Sequence, residues 1–449
     1  MGFEPTVRRT YDGFQDRSVM TTSVSLRNCL MMLPQLTKIV NRFFRKKAEI
    51  FFQGEILQFC CKKIKNYKLK IITDNRHIWK FCIFRFKIII QIWRFCRLFF
   101  KEREKLEKKK EESIEKKERG SRRGRRLRII LMSLVAVSLT GIIALSLVSK
   151  FVYHRSLMAT FVEIYLRVTD RNSLYCIDEK CAANIEEKRI TNLQDITPPK
   201  KKVSIRSAHE SGMQVFYINE EADNDGILIY LHGGGYLNPP ASQHWGFWDK
   251  LARQADITII APIYLKCTNY TADESHAAMM DFYLNTAEKY KDKKIYIGGD
   301  SSGGGFALSL AQQLRDYDDV PQPEEIILIC PWVDISMENP DIEKYVEMDA
   351  MLGSLCCADQ ITDLWKGDRD MKDPMLSPLF GTFDNLGHIT LFIGTREVLY
   401  PDAMLLYEKM VEDGADCTLN VKEGMSHVYP LFPIPEATEA REIIAEIIK

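Results

Sequence analysis

Gly299-Asp300-Ser301-Ser302-Gly303 stands between an apolar run at 295–297 and a stretch with helical spacing at 303–315. A strand entering, a helix leaving and G-x-S-x-G between them describe a sharp turn that exposes a serine hydroxyl. The glycines are a steric requirement, because side chains two positions either side of the serine would collide with the strand and the helix. Ser301 meets the requirement with Gly299 and Gly303, whereas Ser302 has Asp300 and Gly304 and fails it. Ser301 is therefore the expected nucleophile. The backbone N–H of Ser302 can point at an oxyanion forming on the attacked carbonyl, helped by the dipole of the helix starting at 303.

Upstream, His232-Gly233-Gly234-Gly235 follows another apolar run, ILIYL at 227–231. Consecutive glycines leave amides bare and let the backbone approach an acyl group. Gly233 and Gly234 are the expected oxyanion donors, each worth about 3 kcal/mol in a transition state. His232 precedes the serine, while sheets of this kind place the catalytic histidine last, so it is expected to orient the loop. Only His388 and His427 follow Ser301. His388 precedes the apolar run 389–393, at the end of the sheet away from the serine turn. His427 follows the strand-like run 418–421, beyond a carboxyl end where catalytic groups gather, and is the expected base. The acid belongs in the loop after 389–393, where Glu397 and Asp402 compete. Asp402 falls in the next helix, where an ordinary helix-start carboxylate explains it. Glu397 is preferred, with Asp402 as the alternative. The acid fixes the imidazole tautomer and stabilises the imidazolium.

From about residue 155 strands alternate with helices, which implies a mostly parallel sheet covered on both faces. Strands are expected at 227–231, 257–261, 295–297, 326–330, 389–393 and 418–421. Helices are expected at 275–291 (capped by Ser275), 303–315, 401–411 and 435–448.

The net charge of +1 hides two unlike pieces. Residues 1–128 carry 34 Lys+Arg against 13 Asp+Glu, and the rest carry 28 against 48. A basic arm can serve an anionic membrane face or nucleic acid; the membrane is the expected partner and nucleic acid is not. Residues 28–100 show no period of 2 or 3.6, and 101–119 form a Lys/Glu run with almost no apolar face. Gly2-Phe3-Glu4-Pro5 can be encoded by a string resembling the T-arm of a transfer-RNA gene. Residues 1–128 are thus expected as a basic, low-order segment, much of 1–100 being an over-extended translation start. A genuine membrane-binding arm is the alternative.

Residues 129–149 (IILMSLVAVSLTGIIALSLVS) are an uncharged apolar run of 21, long enough for a hydrocarbon core of about 30 Å. Its N-terminal flank, Arg122-Arg123-Gly124-Arg125-Arg126, is the more basic. The positive-inside rule therefore puts the N-terminus in the cytoplasm and the C-terminal piece outside. A cleaved signal peptide is the rival; the run is long for one and no small-x-small site follows. Seven cysteines come after the run, an odd number and without metal-type spacing. They read as free thiols, which weighs somewhat against an extracytoplasmic location.

The motifs together resemble the hormone-sensitive-lipase-like branch of the α/β-hydrolases. The resemblance covers roughly 160–449: HGGGY at 232–236, Tyr264 after Pro262, GDSSGG at 299–304, PWVDIS at 331–336, DPMLSPL at 373–379, GTREVLYPD at 394–402 and EGMSHVYPLFPIPEA at 423–437. Where the family usually has Asp-Tyr-Arg-Leu-Ala-Pro-Glu, this chain reads Ile263-Tyr264-Leu265-Lys266-Cys267-Thr268. The resemblance implies an α/β-hydrolase domain at 155–449 with Glu397 in the acid position. It implies a helical cap from about 155–200 and 337–380. Tyr236, Trp245, Phe247, Trp248 and Trp332 become candidates for lining an acyl or alcohol pocket, with plain core packing as the competing account. The implied activity is hydrolysis of carboxylic esters of small to medium acyl chains through an acyl-enzyme, with neither metal nor organic cofactor. A peptidase of related fold and a silent binding protein are the rivals.

Overall fold

The computed structural model describes residues 121–169, 179–317, 320–353 and 358–449. The expectations for 1–120, and for Cys176, Cys356 and Cys357, lie outside the described residues. The first described element is helix α1, Ser121–Phe151. Its 24 residues Arg128–Phe151 are long and apolar enough to cross a membrane, by length and composition. A boundary between two compact units falls inside α1, after Val137. The sheet and the site belong to the unit that includes Ser138–Lys449.

In that unit α2 (Leu157–Val168) and α3 (Glu179–Thr191) precede an eight-stranded sheet. Its strands are β1 (Ile205–Glu210), β2 (Met213–Ile218), β3 (Gly226–Leu231), β4 (Thr258–Pro262), β5 (Lys294–Asp300), β6 (Glu325–Ile329), β7 (His388–Gly394) and β8 (Cys417–Lys422), in the spatial order β1-β2-β4-β3-β5-β6-β7-β8. From β4 to β8 neighbouring strands are parallel; β2 pairs antiparallel with both β1 and β4. Every residue of β3, β4 and β6 is buried, as expected of strands covered on both faces.

The six expected strands are present, with ends shifted by at most one residue except that β5 runs three residues further, to Asp300. The β1–β2 hairpin was not expected. It turns at Ser211-Gly212, both in the left-handed region, and its edge strand Ile-Arg-Ser-Ala-His-Glu has too few apolar residues to read as a strand. Helices α4 (Ser242–Ala255), α5 (Ala272–Lys289), α6 (Ser302–Leu314), α7 (Ala358–Lys366), α8 (Tyr400–Glu412) and α9 (Pro435–Ile447) are interspersed among the strands and follow them. The cap of α5 is Thr271, not Ser275. Glu274 accepts the Thr271 N–H at 2.7 Å, a capping box that starts the helix one turn earlier. Ser275 lies inside the first turn and its hydroxyl donates to the Leu265 carbonyl at 3.1 Å.

Candidate active site

Strand order reverses around β3, with β4 on one side and β5 on the other. The carboxyl ends of strands at such a point bound a crevice in open α/β sheets. Leu231 of β3 is registered with Gly299 of β5, so 232–235 and 300–303 leave the sheet side by side. On the far side of β6, Gly394 of β7 is registered with Lys422 of β8, which launches the loops bearing Glu397 and His427 together.

Ser301 has φ 54° and ψ −125°, a backbone conformation that L-residues rarely hold. Its N–H donates to the Ile329 carbonyl at 2.9 Å, and its own carbonyl accepts the Trp332 N–H at 2.8 Å. The flanking glycines have no room for a side chain. A Cβ on Gly299 would lie 2.3 Å from the Gly303 carbonyl oxygen, and one on Gly303 would lie 2.1 Å from that of Leu231. These obstacles are backbone and cannot swing aside. Gly303→Ala is therefore expected to destabilise the domain by about 3 kcal/mol or more and to lower activity, as read from a urea unfolding curve beside a rate. Ser302 is fully buried and its hydroxyl is occupied, accepting the Tyr236 N–H at 3.3 Å and lying 3.4 Å from the Tyr264 hydroxyl.

The amide of Gly233, an expected oxyanion donor, is engaged within the protein. The Gly233 N–H donates to Asp300 Oδ1 at 3.1 Å, so it is spent on positioning the loop. Among the described residues the amides of Gly234, Gly235 and Ser302 make no hydrogen bond. Gly234 (φ 144°) and Gly235 (φ 63°) hold conformations suited to glycine, and a Cβ on Gly234 would lie 2.6 Å from the Asn238 carbonyl oxygen. Asp300 anchors this loop. Besides Gly233 it accepts from the Tyr230 hydroxyl at 2.9 Å and from His244 Nε2 at 3.1 Å. His244 Nδ1 accepts the Ala241 N–H at 2.9 Å, which leaves Nε2 to carry the proton toward Asp300. His232 is fully buried, stacks on Tyr264 at 4.7 Å and donates from Nδ1 to the Gly233 carbonyl at 2.8 Å. Burial, with the charge of Lys266 adding to it, holds its pKa well below the usual histidine value. It stays neutral and braces the loop.

His427 Nδ1 and Glu397 Oε2 are 2.6 Å apart, both buried. Glu397 Oε1 also accepts the Gly394 N–H at 3.0 Å, which fixes the carboxylate at the end of β7. Burial works to lower the His427 pKa, but the Glu397 charge and hydrogen bond, with the charges of Asp349 and Asp300, outweigh it and raise the pKa above 6.5. Asp402 does not join this pair. It bonds Asn339 Nδ2 at 2.7 Å, and burial pushes its pKa up to about 6. His388 pairs with Glu325 at 2.9 Å at the opposite end of the sheet.

Two neighbours of the pair carried no sequence signal. Asp349 accepts the Met351, Leu352 and Val398 N–H groups at 2.7, 2.9 and 3.0 Å and so ties the 349–352 loop to the acid loop. Burial raises its pKa although the His427 charge and the amides oppose that. Cys330 places its thiol beside Glu397 and His427, the three ligand-type atoms lying within 4.8 Å of one another. This is the one group of metal-ligand type found among the described residues, and its carboxylate and imidazole are already bonded to each other.

Residues 228–431 match the alpha/beta hydrolase fold family. A protein of Acinetobacter venetianus named an esterase is 25% identical over 289 residues, 64% of this chain and 94% of its own length. An acetyl-hydrolase of Streptomyces hygroscopicus is 25% identical over 51% of this chain and 77% of its own. Among solved structures, a Staphylococcus aureus protein assigned as an esterase superposes with a TM-score of 0.59 at 28% identity, over 62% of this chain and 95% of its own. An esterase of the bacterial hormone-sensitive lipase family superposes at 0.55 and 23% identity, over 64% and 96%. The domain has the α/β-hydrolase fold.

In this hydrolase Ser301 and His427 open onto one cavity of about 810 Å³, which the loop Gly233–Gly235 also lines. Of the aromatic residues expected there, Trp332 lines it, but Tyr236, Trp245, Phe247 and Trp248 do not. Helix α4 presents Ser242, Gln243, Gly246 and Lys250 to the cavity. Its other face packs inward, Trp245 on Phe216 at 4.9 Å and Trp248 on Tyr230 at 5.9 Å. Tyr236, with φ 56°, turns back into the core and stacks on Trp365 at 4.2 Å. The apolar part of the cavity wall instead includes Val162, Tyr165, Leu352, Ile361 and Phe432.

Proposed function

We propose that this chain hydrolyses carboxylic esters through an acyl-enzyme formed on Ser301. The observation that carries the reading is the convergence on one cavity of a serine in a strained turn, a buried imidazole–carboxylate pair and a glycine loop with unpartnered amides. Ser301 attacks the carbonyl carbon, and His427 takes its proton and returns it to the leaving alcohol. Glu397 keeps the His427 Nδ1–H aimed at itself, so that Nε2 is the basic atom. The amides of Gly234, Gly235 and Ser302 receive the oxyanion. Water then reverses the sequence. The segments 155–200 and 337–380 act as a cap, since Val162, Tyr165, Met351, Leu352 and Ile361 contribute to the cavity wall. The names of relatives, among them an acetyl-hydrolase and an ethyl acetate hydrolase, support small acyl groups.

Two expectations follow for the intact chain. In a p-nitrophenyl ester series from acetyl to palmitoyl, kcat/KM should peak between acetyl and octanoyl. Peptide anilides should be cleaved at least a hundredfold more slowly; faster anilide cleavage would favour the peptidase alternative. The pH profile of kcat/KM follows from the direction of the His427 shift. The base must be neutral, its pKa is raised, and activity should fall as pH drops through an inflection above 6.5.

The apolar part of α1 anchors the domain in a membrane, with the N-terminus on the cytoplasmic side and the hydrolase on the other. The length and composition of Arg128–Phe151 and the arginines ahead of it support this.

A further inference from the structure

Helix α2 is apolar on the side that faces away from the domain. It buries Ala159, Thr160, Glu163 and Leu166, which at 100° per residue share one arc. The opposite arc carries Met158, Phe161, Ile164, Tyr165 and Val168, exposed by 49, 41, 43, 56 and 78%. The two charged residues of α2 are drawn away from that arc. Glu163 pairs with Arg155 and Arg396, and Arg167 reaches Glu163 and the Met348 carbonyl. A helix bordered by water carries charge on its outer face, and a contiguous exposed apolar face marks a contact surface.

The chain itself indicates what covers this face. Five residues, 152–156, separate the start of α2 from the end of α1. The Thr160 hydroxyl, in the first turn of α2, donates to Ser149 Oγ in the last turn of α1 at 2.7 Å. Arg155, between the helices, is held by Glu163 and by the Gly424 carbonyl. The junction is thus bonded to α2 and to the loop that carries His427. If α1 spans a bilayer, α2 lies at the level where it emerges, the level that favours apolar side chains with an amphipathic tyrosine. Along one edge α2 also reaches the cavity of Ser301, through Val162 and Leu166 and through Tyr165 at the border of its outer face.

We propose that the outer face of α2 rests in the lipid interface, and that the cavity draws esters dissolved in the bilayer along this helix. The proposal rests on the anchoring and ester-hydrolysis readings above. The full chain, in phosphatidylcholine vesicles containing a diazirine-bearing phosphatidylcholine, is illuminated and digested with trypsin. Lipid adducts are expected on peptide 156–167, at Met158, Phe161, Ile164 or Tyr165, as well as on α1. A Phe161→Asp/Ile164→Asp variant should cleave a water-soluble acetyl ester within twofold of the parent rate. On a short-acyl ester of a long-chain alcohol carried in the vesicles it should be at least tenfold slower, while still resisting an alkaline wash. Unlabelled 156–167 in a chain that survives the wash and cleaves the soluble ester overturns the docking alone, as does an unchanged rate on the vesicle ester. Release of the chain by the wash overturns the anchor and the docking with it. A parent chain inactive on the soluble ester overturns the hydrolase reading and with it the delivery of esters.

Discussion

Ser301→Ala should lower kcat for a p-nitrophenyl ester by a factor on the order of 10⁴ or more while leaving the melting temperature within a degree or two of the parent. The two halves of this expectation have separate grounds. The rate falls because the neighbouring hydroxyl cannot take the place of Ser301: that of Ser302 is buried and engaged by Tyr236 and Tyr264. Stability is spared because the Ser301 hydroxyl makes no hydrogen bond among the described residues, so its removal strands no buried partner. The strained backbone at Ser301 is imposed by its surroundings through the bonds to Ile329 and Trp332 and persists with alanine. Ser302→Ala is the matched control, and a loss there of more than about tenfold would mean that the serine had been wrongly assigned.

Glu397→Gln should cost about 10³–10⁴ in kcat. The amide is nearly isosteric, so the Gly394 N–H keeps an acceptor. The bond to His427 changes character, because a carboxamide can offer its NH₂ to Nδ1 and so stabilise the tautomer whose Nε2 carries the proton and cannot act as base. Loss of the carboxylate charge, among the influences that raise the His427 pKa, should also move the acid limb of the surviving activity to lower pH. Asp402→Asn should leave kcat within about threefold, since Asp402 is bonded to Asn339 and has no contact with His427. Steady-state kinetics of both variants across pH checks the pair of expectations. Equal losses in the two, or an unmoved acid limb in Glu397→Gln, would count against Glu397 as the acid.

The legible parts of this site share one property: each is fixed by chain order and local sterics. Gly299 and Gly303 single out Ser301 because backbone atoms stand where their side chains would be. His427 and Glu397 follow from which loops leave the carboxyl ends of β8 and β7. The parts that sequence did not convey depend on partners distant in the chain. Nothing local says that Asp300 captures the Gly233 amide and leaves those of Gly234 and Gly235 without a hydrogen bond among the described residues. The two tryptophans of α4 sit at helical spacing, and which face meets the sheet is decided by Phe216 and Tyr230 on other strands. Asp349 lies 48 residues before Glu397 and meets that loop through the Val398 amide. The β1–β2 hairpin was missed for another reason: β1 is the edge strand, none of its residues is fully buried, and its apolar pattern fades.

The central claim is that acyl transfer passes through the Ser301 oxygen with His427 as its base. Incubation of the intact protein with a fluorophosphonate, followed by peptide mass mapping, tests it directly. The expected result is one phosphonyl group per chain, on the peptide containing Ser301 and located at that residue, with labelling slowed at least a hundredfold in His427→Ala. Labelling at Ser302 or another residue, or a rate unaffected by His427→Ala, would contradict it.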